Sequence, residues 1–166
     1  MASAVIIATK AEKVVEIKDK IQKAGAVVLF DYRGLTVAED TELRNEMRKA
    51  GVEYVVLKNN LVERACEMAE IDASVNGMLT GPSAFAFSYE DPVTGARVLK
   101  GFMKKVKKCA FKGGIVEGAV VSVKEMEAIA DLPSREVLIA RLLGSMMSPI
   151  SGLAIVLGQI TKAKEA

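Results

Sequence analysis

Polar side chains that suit phosphate and base recognition follow two short apolar runs of the sequence. Cationic side chains bind phosphate oxygens, while aromatic rings and amides bind unstacked bases. Ordinary turn and helix-cap chemistry uses several of the same residue types, so spacing alone leaves both interpretations open. The residues are Tyr32, Arg33 and Gly34 after the first run, and Lys58, Asn59, Asn60 and Arg64 at and after the second.

A strand–helix–strand unit would bring these two clusters together. The runs at 26–31 and 52–58 have the composition of buried strands, and residues 36–50 between them have a helical pattern. Two strands joined by a helix run parallel, so both clusters would lie at the same edge of the sheet. A further helix begins directly after the second strand, with Asn59 or Asn60 predicted as its N-cap, and a helix N-terminus attracts anions.

The helix between the two strands has one unexpected residue on its inner side. Thr36 opens this helix, with Glu39 as the second half of a capping box. The helical period then puts Asp40, Leu43 and Met47 on the same stripe as Thr36. A carboxylate on an apolar stripe is unfavourable inside a core. The sequence therefore predicts that Asp40 lies at the rim of the packed face.

Composition argues against an enzyme and against a secreted protein. The chain has 166 residues, 51% of them apolar, no histidine and a net charge of only +2. It therefore lacks the commonest general base and metal ligand, and no nucleotide-binding, hydrolase or metalloprotease motif occurs. Cys66 and Cys109 lack CxxC spacing, as is typical of a reducing cytosol, and the N-terminal apolar run is too short for a signal peptide. We expect no metal and no cofactor.

Strands that alternate with helices predict an α/β domain, with α+β as the alternative. We expect a mixed sheet of about four strands with alternating helices. Residues 1–132 are predicted to form this globular domain, and residues 133–166 a protruding C-terminal helical segment. Strands are predicted at 26–31, 52–58, 83–88 and in one or two pieces of 109–121, and helices at 9–24, 36–50, 59–69, within 90–108 and at 123–132.

A further group of basic residues lies within 97–112, without any acidic residue among them. On a helix, Arg97, Lys100, Lys104 and Lys108 share one face. Such a face is either solvated or, beside an adjoining patch, able to meet phosphate, and the sequence slightly favours the first interpretation. The other members of the group are Lys105, Lys107 and Lys112.

The C-terminal segment LLGSMMSPISGLAIVLGQI, residues 142–160, contains no charged residue. A helix exposed on a monomer shows one apolar stripe, whereas this segment is apolar on most sides. One interpretation is a membrane anchor, since about 20 apolar residues span a bilayer, but the glycines, serines, proline and glutamine weaken it. The other is a helix that docks onto a protein partner in short segments, broken by Gly144, Pro149, Gly152 and Gly158.

The motif Asp31-x-x-Gly34-Leu35-Thr36-Val37-x-Glu39, followed by Leu43-Arg44, resembles the signature of the bacterial large-subunit ribosomal protein ten family, the stalk-base proteins. GVEYVVLKNNLVERA, GPSAFAFSYEDP, FKGGIVEG, LPSREVLIARLLG and PISGLAIVLGQI resemble further segments of that family, in the family's order. The resemblance covers essentially the whole chain. One departure is Asp40, where the family usually has an apolar residue.

The resemblance implies a structural component of the large ribosomal subunit, located on the ribosome in the cytoplasm, and not an enzyme or a membrane protein. Its N-terminal domain would bind large-subunit rRNA at the GTPase-associated region, beside ribosomal protein eleven. Its C-terminal helix would dock several dimers of the acidic stalk protein, which recruit translational GTPases. In this family the complex with the stalk protein can also repress its own messenger RNA.

The family motif also implies which residues make these contacts. The rRNA contact is expected at or near Tyr32, Arg33, Gly34, Lys58, Asn59, Asn60 and Arg64, with Arg44 as a candidate that could equally form an ion pair on the helix surface. Gly144, Pro149 and Gly152 would form a hinge between docking segments. The stalk protein is expected at Leu138, Leu142, Leu143, Met146, Met147, Ile150, Leu153, Ile155, Val156, Leu157 and Ile160.

Overall fold

The centre of the fold is a sheet of short apolar strands. The computed structural model describes residues 4–69, 71, 75–106 and 108–165. Its strands are β1 (Ala26–Asp31), β2 (Val52–Val56), β3 (Ala84–Ser88), β4 (Ala110–Val116) and β5 (Ala119–Val121). They form one five-stranded sheet in the order β2-β3-β1-β4-β5, and every neighbouring pair is antiparallel. The predicted α/β class is confirmed, with five strands where about four were expected. The expectation of a mixed sheet is corrected, because β3 is inserted between the two strands that run in the same direction and all pairs are antiparallel.

Helices before residue 133 connect the strands and cover the sheet, and one further helix follows them along the chain. Within the described residues they are α1 (Ala4–Lys23), α2 (Val37–Lys49), α3 (Asn59–Met68), α4 (Val75–Met78), α5 (Thr94–Val106), α6 (Val123–Asp131) and α7 (Arg135–Glu165). The chain divides into two compact units, residues 1–132 and 133–166, and α7 is the helix of the second. The single-turn α4 lies in a segment for which the sequence predicts neither a helix nor a strand, because one turn is too short to show a helical period.

Both faces of the sheet are buried, which explains why β1 is apolar without alternation. Val28 and Phe30 face a cluster formed with α2, α5 and α6, while Val27 and Leu29 face a cluster formed with α1, α3 and α4. Each fully buried side chain of this size contributes roughly 1.5–3 kcal/mol. The helix residues that complete the two clusters include Leu43, Met47, Leu99, Phe102 and Met126 on one face, and Val14, Ile17, Ile21, Val62 and Val75 on the other.

Two glycines in the middle of β4 allow these layers to approach closely. A Cβ on Gly113 would collide with Met78, and a Cβ on Gly114 would collide with Met126 and with the carbonyl oxygen of Val27. Gly113 also has φ = +137°, next to a register shift in the β1–β4 pairing. At both positions the fold requires glycine because of space, and at Gly113 because of backbone conformation as well.

We therefore predict opposite effects for two Gly→Ala substitutions. Gly114→Ala should lower the free energy of unfolding by roughly 1–3 kcal/mol, because the added methyl group overpacks the sheet. Gly101→Ala is the matched control, since Gly101 is exposed within α5 and its added Cβ meets nothing within 4 Å. Gly101→Ala should be stabilising by about 0.4–1 kcal/mol. Denaturant unfolding measures both, and equal effects would contradict the packing described for β4.

Candidate functional site

The sheet brings the two polar clusters to one edge, with a third segment between them. β1 and β2 run in the same direction, and β3 lies between them, so that Phe30 and Val56 both pair with Ala84. Two strand spacings separate the ends of β1 and β2 by about 10 Å. The shared edge agrees with the sequence prediction. The inserted strand was not foreseen, because strand order cannot be read from a helix between two strands.

The turn after β1 is held by an ion pair between its first and third residues. The Asp31 carboxylate accepts hydrogen bonds from Arg33 Nε at 3.1 Å, from Arg33 Nη2 at 2.9 Å and from the Arg33 backbone N–H at 3.0 Å. Gly34 follows with φ = +83°, and a Cβ there would meet nothing, so its backbone conformation is what requires glycine. Tyr32 packs partly against the apolar cluster of α2, α5 and α6.

The Asp31–Arg33 pair orients a cation without enclosing it. The arginine side chain is 70% exposed and the aspartate side chain 17% exposed. The hydrogen bonds from Arg33 lower the pKa of the Asp31 carboxyl, so it is ionised at neutral pH. Guanidinium has five N–H donors, and Nη1 takes no part in this pair, so the outer side of Arg33 can still bind an oxyanion.

The second cluster lies at the start of α3, and here the N-cap prediction is wrong. Lys58 is the N-cap residue, and it makes no side-chain cap hydrogen bond. Asn59 is the first helical residue, and its side-chain amide donates to the carbonyl oxygens of Leu79 and Gly81 instead of capping α3. Lys58, Asn60 and Arg64 are all exposed.

The N-terminus of α3 differs from two others in the same domain. The first turns of α2 and α6 are closed by complete capping boxes, Thr36 with Glu39 and Ser122 with Glu125. The first turn of α3 contains no acidic residue and has no side-chain cap. Its free backbone N–H groups and the helix dipole favour a bound anion.

Asp40 lies at the rim of the packed face and has two partners. Its carboxylate accepts a hydrogen bond from the Tyr54 hydroxyl at 3.0 Å and from Arg44 Nε at 2.8 Å. The guanidinium carbon of Arg44 lies 4.3 Å from the centre of the Tyr54 ring, and that ring stacks on Phe30 with centroids 5.6 Å apart. Burial, with Asp40 nearby, raises the pKa of Tyr54. Of the two roles considered for Arg44, the structure provides the ion pair.

The basic residues in and just after α5 are engaged mostly within the fold. Arg97 donates to the carbonyl oxygen of Leu132, and Lys100 binds Asp131 and the carbonyl oxygen of Glu127. Lys105 pairs with Glu46 of α2. Lys108 was expected on the same helix face but lies after the end of α5, and it pairs with Glu39 of α2. The hydrogen bond from Thr36, together with Lys108, lowers the pKa of Glu39. These contacts join α5 to α2 and α6. Lys104 is exposed, and Lys107 lies outside the described residues.

Lys112 belongs to the edge and not to this helix. It lies in β4, and its ammonium group binds the segment that leads into β3. Along the sequence it follows the lysines of α5, and only the strand pairing reveals its separate position. The segment that it binds contains Gly81–Pro82, a dipeptide that is typical of turns and loops.

The second unit is a helix whose apolar side chains remain in solvent. Every described side chain of α7 from 135 to 149 and from 151 to 160 is exposed, and Leu142, Met146 and Leu153 are each at least 60% exposed. The side chain of Ile150 lies outside the described residues. Pro149 is inside α7, and the segments Arg135–Pro149 and Ser151–Ile160 are bent by 41°. Proline causes such bends because it lacks an N–H and crowds the preceding turn.

Length and composition give little support to a membrane-spanning helix. In the described part of the chain, no single helix is long and apolar enough to cross a bilayer. The two bent segments of α7 have sufficient length and apolar composition only when they are taken together.

The part of the chain that the structure describes contains no constellation for metal or thiol chemistry. No group of three or more Cys, Asp or Glu side chains there could hold a metal ion. Cys66 and Cys109 are buried and unpaired, and burial raises the pKa of Cys66 to about 11. A buried neutral thiol is a poor nucleophile.

Comparison with known proteins gives matches over most of the chain. The family model described as Ribosomal protein L10 matches residues 6–104, and the model described as the ribosomal protein uL10 C-terminal region matches residues 132–166. The large ribosomal subunit protein uL10 of Clostridioides difficile (strain 630) is 50% identical over 96% of this chain and 95% of its own length. The protein of the same name from Bacillus cereus (strain B4264) is 47% identical, over 96% of both chains.

The Asp31–Arg33 pair predicts a pH dependence of stability. The pKa of Asp31 is lower in the folded chain than in the unfolded one. The contribution of its carboxylate to folding stability is therefore complete above the unfolded pKa of about 3.9, and it is lost as the pH falls through the folded pKa.

Asp31→Asn should therefore lower the free energy of unfolding at pH 6–7 by up to about 1 kcal/mol. The difference from the parent should shrink below about pH 4. Thermal melts between pH 2.5 and 7 measure this. The control is Asp19→Asn, which changes an exposed aspartate of α1, and a pH-independent difference would refute the ionic contribution of Asp31.

Proposed function

Because this chain belongs to the ribosomal protein L10 family, we propose that its sheet edge binds large-subunit rRNA and that its C-terminal helix holds dimers of the acidic stalk protein. Membership confirms the family resemblance and makes the chain a structural constituent of the large ribosomal subunit in the bacterial cytoplasm, not an enzyme. The proposal includes the GTPase-associated region as the RNA site and ribosomal protein eleven as a neighbour. It also includes translational GTPases recruited through the stalk, and repression of its own messenger RNA.

The RNA proposal rests on the number of N–H donors at one edge of the sheet that are not used by contacts within the fold. Lys58 and Arg64 are exposed and form no ion pair within the described residues, while Arg33 keeps donors beyond those that Asp31 uses. The uncapped first turn of α3 adds backbone N–H groups. Phosphate oxygens accept hydrogen bonds from all of these groups.

Base recognition at the same edge would use the remaining candidates. Tyr32 is partly exposed at the rim of the core, and Asn60 is exposed in the first turn of α3. An aromatic ring and an amide suit the stacking face and the polar edges of an unpaired base. Gly34, with φ = +83°, allows the chain to turn directly after Tyr32 and Arg33. Arg44, occupied by Asp40 and Tyr54, is left out of the proposed surface.

The tail proposal is supported by an apolar helix that its own unit leaves uncovered. The exposed large side chains of α7 extend from Val137 to Ile160, and large exposed apolar surfaces on soluble proteins mark partner sites. Such a helix binds by placing its anchors in apolar grooves of the partner. The bend at Pro149, with Gly144 and Gly152 on either side, would separate two docking segments.

Removing two cations from the edge should weaken rRNA binding and flatten its salt dependence. The double variant Arg33→Ala/Lys58→Ala removes two proposed phosphate contacts. The slope of log K against log salt should therefore decrease in magnitude by about 1.4–1.8, and affinity at low salt should fall at least about tenfold. Filter binding or fluorescence anisotropy with an RNA fragment of the GTPase-associated region measures both quantities.

A charge-matched control comes from the other end of α2. Arg48→Ala/Lys49→Ala also removes one arginine and one lysine, both exposed in the last turn of the helix. This variant should keep nearly the parental slope, because α2 begins at the proposed edge and its last turn lies at the far end of the helix. Parental affinity and slope for Arg33→Ala/Lys58→Ala would remove the edge from the RNA site.

Shortening or weakening the tail should affect stalk binding alone. Deletion of 144–166 should leave an RNA-competent domain that no longer binds the acidic stalk protein. Leu153→Ala, which truncates a side chain that is 63% exposed in α7, should cost roughly 2–4 kcal/mol of binding, or about 30-fold to 1,000-fold in Kd, if it is a central anchor.

The matched control on the same helix is Ser151→Ala, which alters a neighbouring exposed residue without removing an apolar anchor. Isothermal titration with the stalk protein gives the affinities, and native mass spectrometry gives the number of copies bound. An even number of copies per chain supports docked dimers. Retained stalk binding after the deletion would refute this placement, and recovery of the chain only in detergent would favour a membrane anchor.

A further inference from the structure

The segment at residues 79–83 lies between the two clusters of the proposed RNA edge. It leads into β3, whose first residue Ala84 pairs with Phe30 of β1 on one side and with Val56 of β2 on the other. It therefore lies in the middle of a gap of about 10 Å between the ends of those strands. Any RNA strand that contacts both clusters at once passes over this segment.

Two side chains hold this segment by binding its consecutive carbonyl groups in alternation. The amide of Asn59 donates to the carbonyl oxygens of Leu79 and Gly81. The ammonium of Lys112 donates to the carbonyl oxygens of Thr80 at 2.9 Å and Pro82 at 2.6 Å, and to Ser83 Oγ at 3.1 Å. The segment bends at Gly81, where φ is +77°. Asn59 of α3 binds the first and third of these carbonyls and Lys112 of β4 binds the second and fourth, so donors from two elements fix the backbone on both sides of the bend.

The position of Lys112 depends on an irregularity in β4. In the β1–β4 pairing, Leu29 is opposite Gly113 and Phe30 is opposite Phe111, so that Lys112 is an extra residue. A bulge of this kind redirects the side chain of its extra residue. Gly113, with φ = +137° and no room for a Cβ, permits the bulge.

These contacts use the donors that would otherwise make Lys112 and Asn59 obvious RNA ligands. An ammonium group has three N–H donors, and Lys112 has three acceptors. An amide has two N–H donors, and Asn59 directs them to two carbonyls. The same bonds cover four carbonyl oxygens, whose partial negative charge would repel phosphate if they faced it. Thr80 and Gly81 remain exposed.

We propose that the segment of residues 79–83 is a third part of the RNA-binding surface, and that Asn59 and Lys112 are positioning residues that hold it in shape without binding phosphate. This inference rests on the proposed function of the edge and changes the role expected of Asn59 from a direct RNA contact to a support. It also gives Lys112 a role separate from that of Lys58, which forms no ion pair in the described residues.

Salt dependence separates a positioning role from a phosphate contact. Lys112→Met and Asn59→Leu should each weaken binding of the GTPase-associated RNA fragment by roughly tenfold. Their slopes of log K against log salt should stay near the parental value. Lys58→Met is the reference for a phosphate contact and should reduce the slope by about 0.7–0.9. Lys49→Met, at the C-terminal end of α2, controls for the loss of one positive charge. Asn59→Leu is the cleaner variant, since it changes no charge.

A second readout follows the segment without RNA. Amide hydrogen exchange of the free full-length chain should be faster at residues 79, 80, 81 and 83 in both positioning variants than in the parent, and parental in Lys58→Met. If Lys112→Met does not fold, the RNA affinity, salt slope and amide exchange of Asn59→Leu are sufficient to test the inference.

Three outcomes would overturn the inference. Faster exchange with parental RNA affinity would mean that the segment is not part of the RNA surface. A slope reduction in Lys112→Met equal to that of Lys58→Met would make Lys112 a phosphate ligand. Parental rates of amide hydrogen exchange in both variants would mean that Asn59 and Lys112 do not hold the segment. A parent chain without salt-dependent affinity for the RNA would instead refute the proposed function itself, so the two failures are distinguishable.

Discussion

The pairing of β3 between β1 and β2 is the constraint on which the proposed RNA edge depends. Were β1 and β2 direct neighbours, their ends would be one strand spacing apart, about 4.8 Å, and no third segment would separate them. With Ala84 paired with both Phe30 and Val56, the separation doubles and residues 79–83 enter the gap. The pairing is itself secured by burial on both faces, since Phe85 and Phe87 pack on one side and Ala84 and Ala86 on the other.

The distribution of charge explains how a chain with a net charge of only +2 can present a cationic edge. Acidic side chains of α2 and α6 pair with Lys100 and Lys105 of α5 and with Lys108 just after it, and carboxylates complete the capping boxes of α2 and α6. Each exposed pair contributes little stability. Their larger effect is to neutralise several cations in and after α5, whereas Lys58 and Arg64 form no ion pair within the described residues and the first turn of α3 has no side-chain cap.

Local signals in the sequence were sufficient for the elements but not for their arrangement. The strand at 26–31 and the capping box of Thr36 and Glu39 were predicted as the structure has them, because burial and cap chemistry act within a few residues. The insertion of β3 and the position of Lys112 depend on pairings between distant segments, which leave no local pattern. The N-cap prediction failed for the same reason, since Asn59 has acceptors in a segment twenty residues further along the chain.

Asp40 is a further case in which position could be predicted and partners could not. Its place on the inner stripe of α2 predicts the rim of the packed face, but a helical stripe carries no information about side chains from other elements. Its hydrogen-bond partner Tyr54 comes from β2, and its ion-pair partner Arg44 lies one turn along α2, above the Tyr54 ring. The three side chains satisfy each other at the rim, where partial solvation lowers the cost of a charge.

The two units differ in what can hold them in shape. Residues 1–132 bury apolar side chains on both faces of a sheet, so this unit carries its own source of stability. The described side chains of α7 are exposed, and a proline and three glycines lie along the helix, so propensity alone gives it little support. A partner that covers its apolar residues would supply the missing burial and would offset the entropy of ordering the segment. The two proposed interactions therefore have different physical sources: a preorganised edge for RNA, and a helix stabilised by the protein to which it binds.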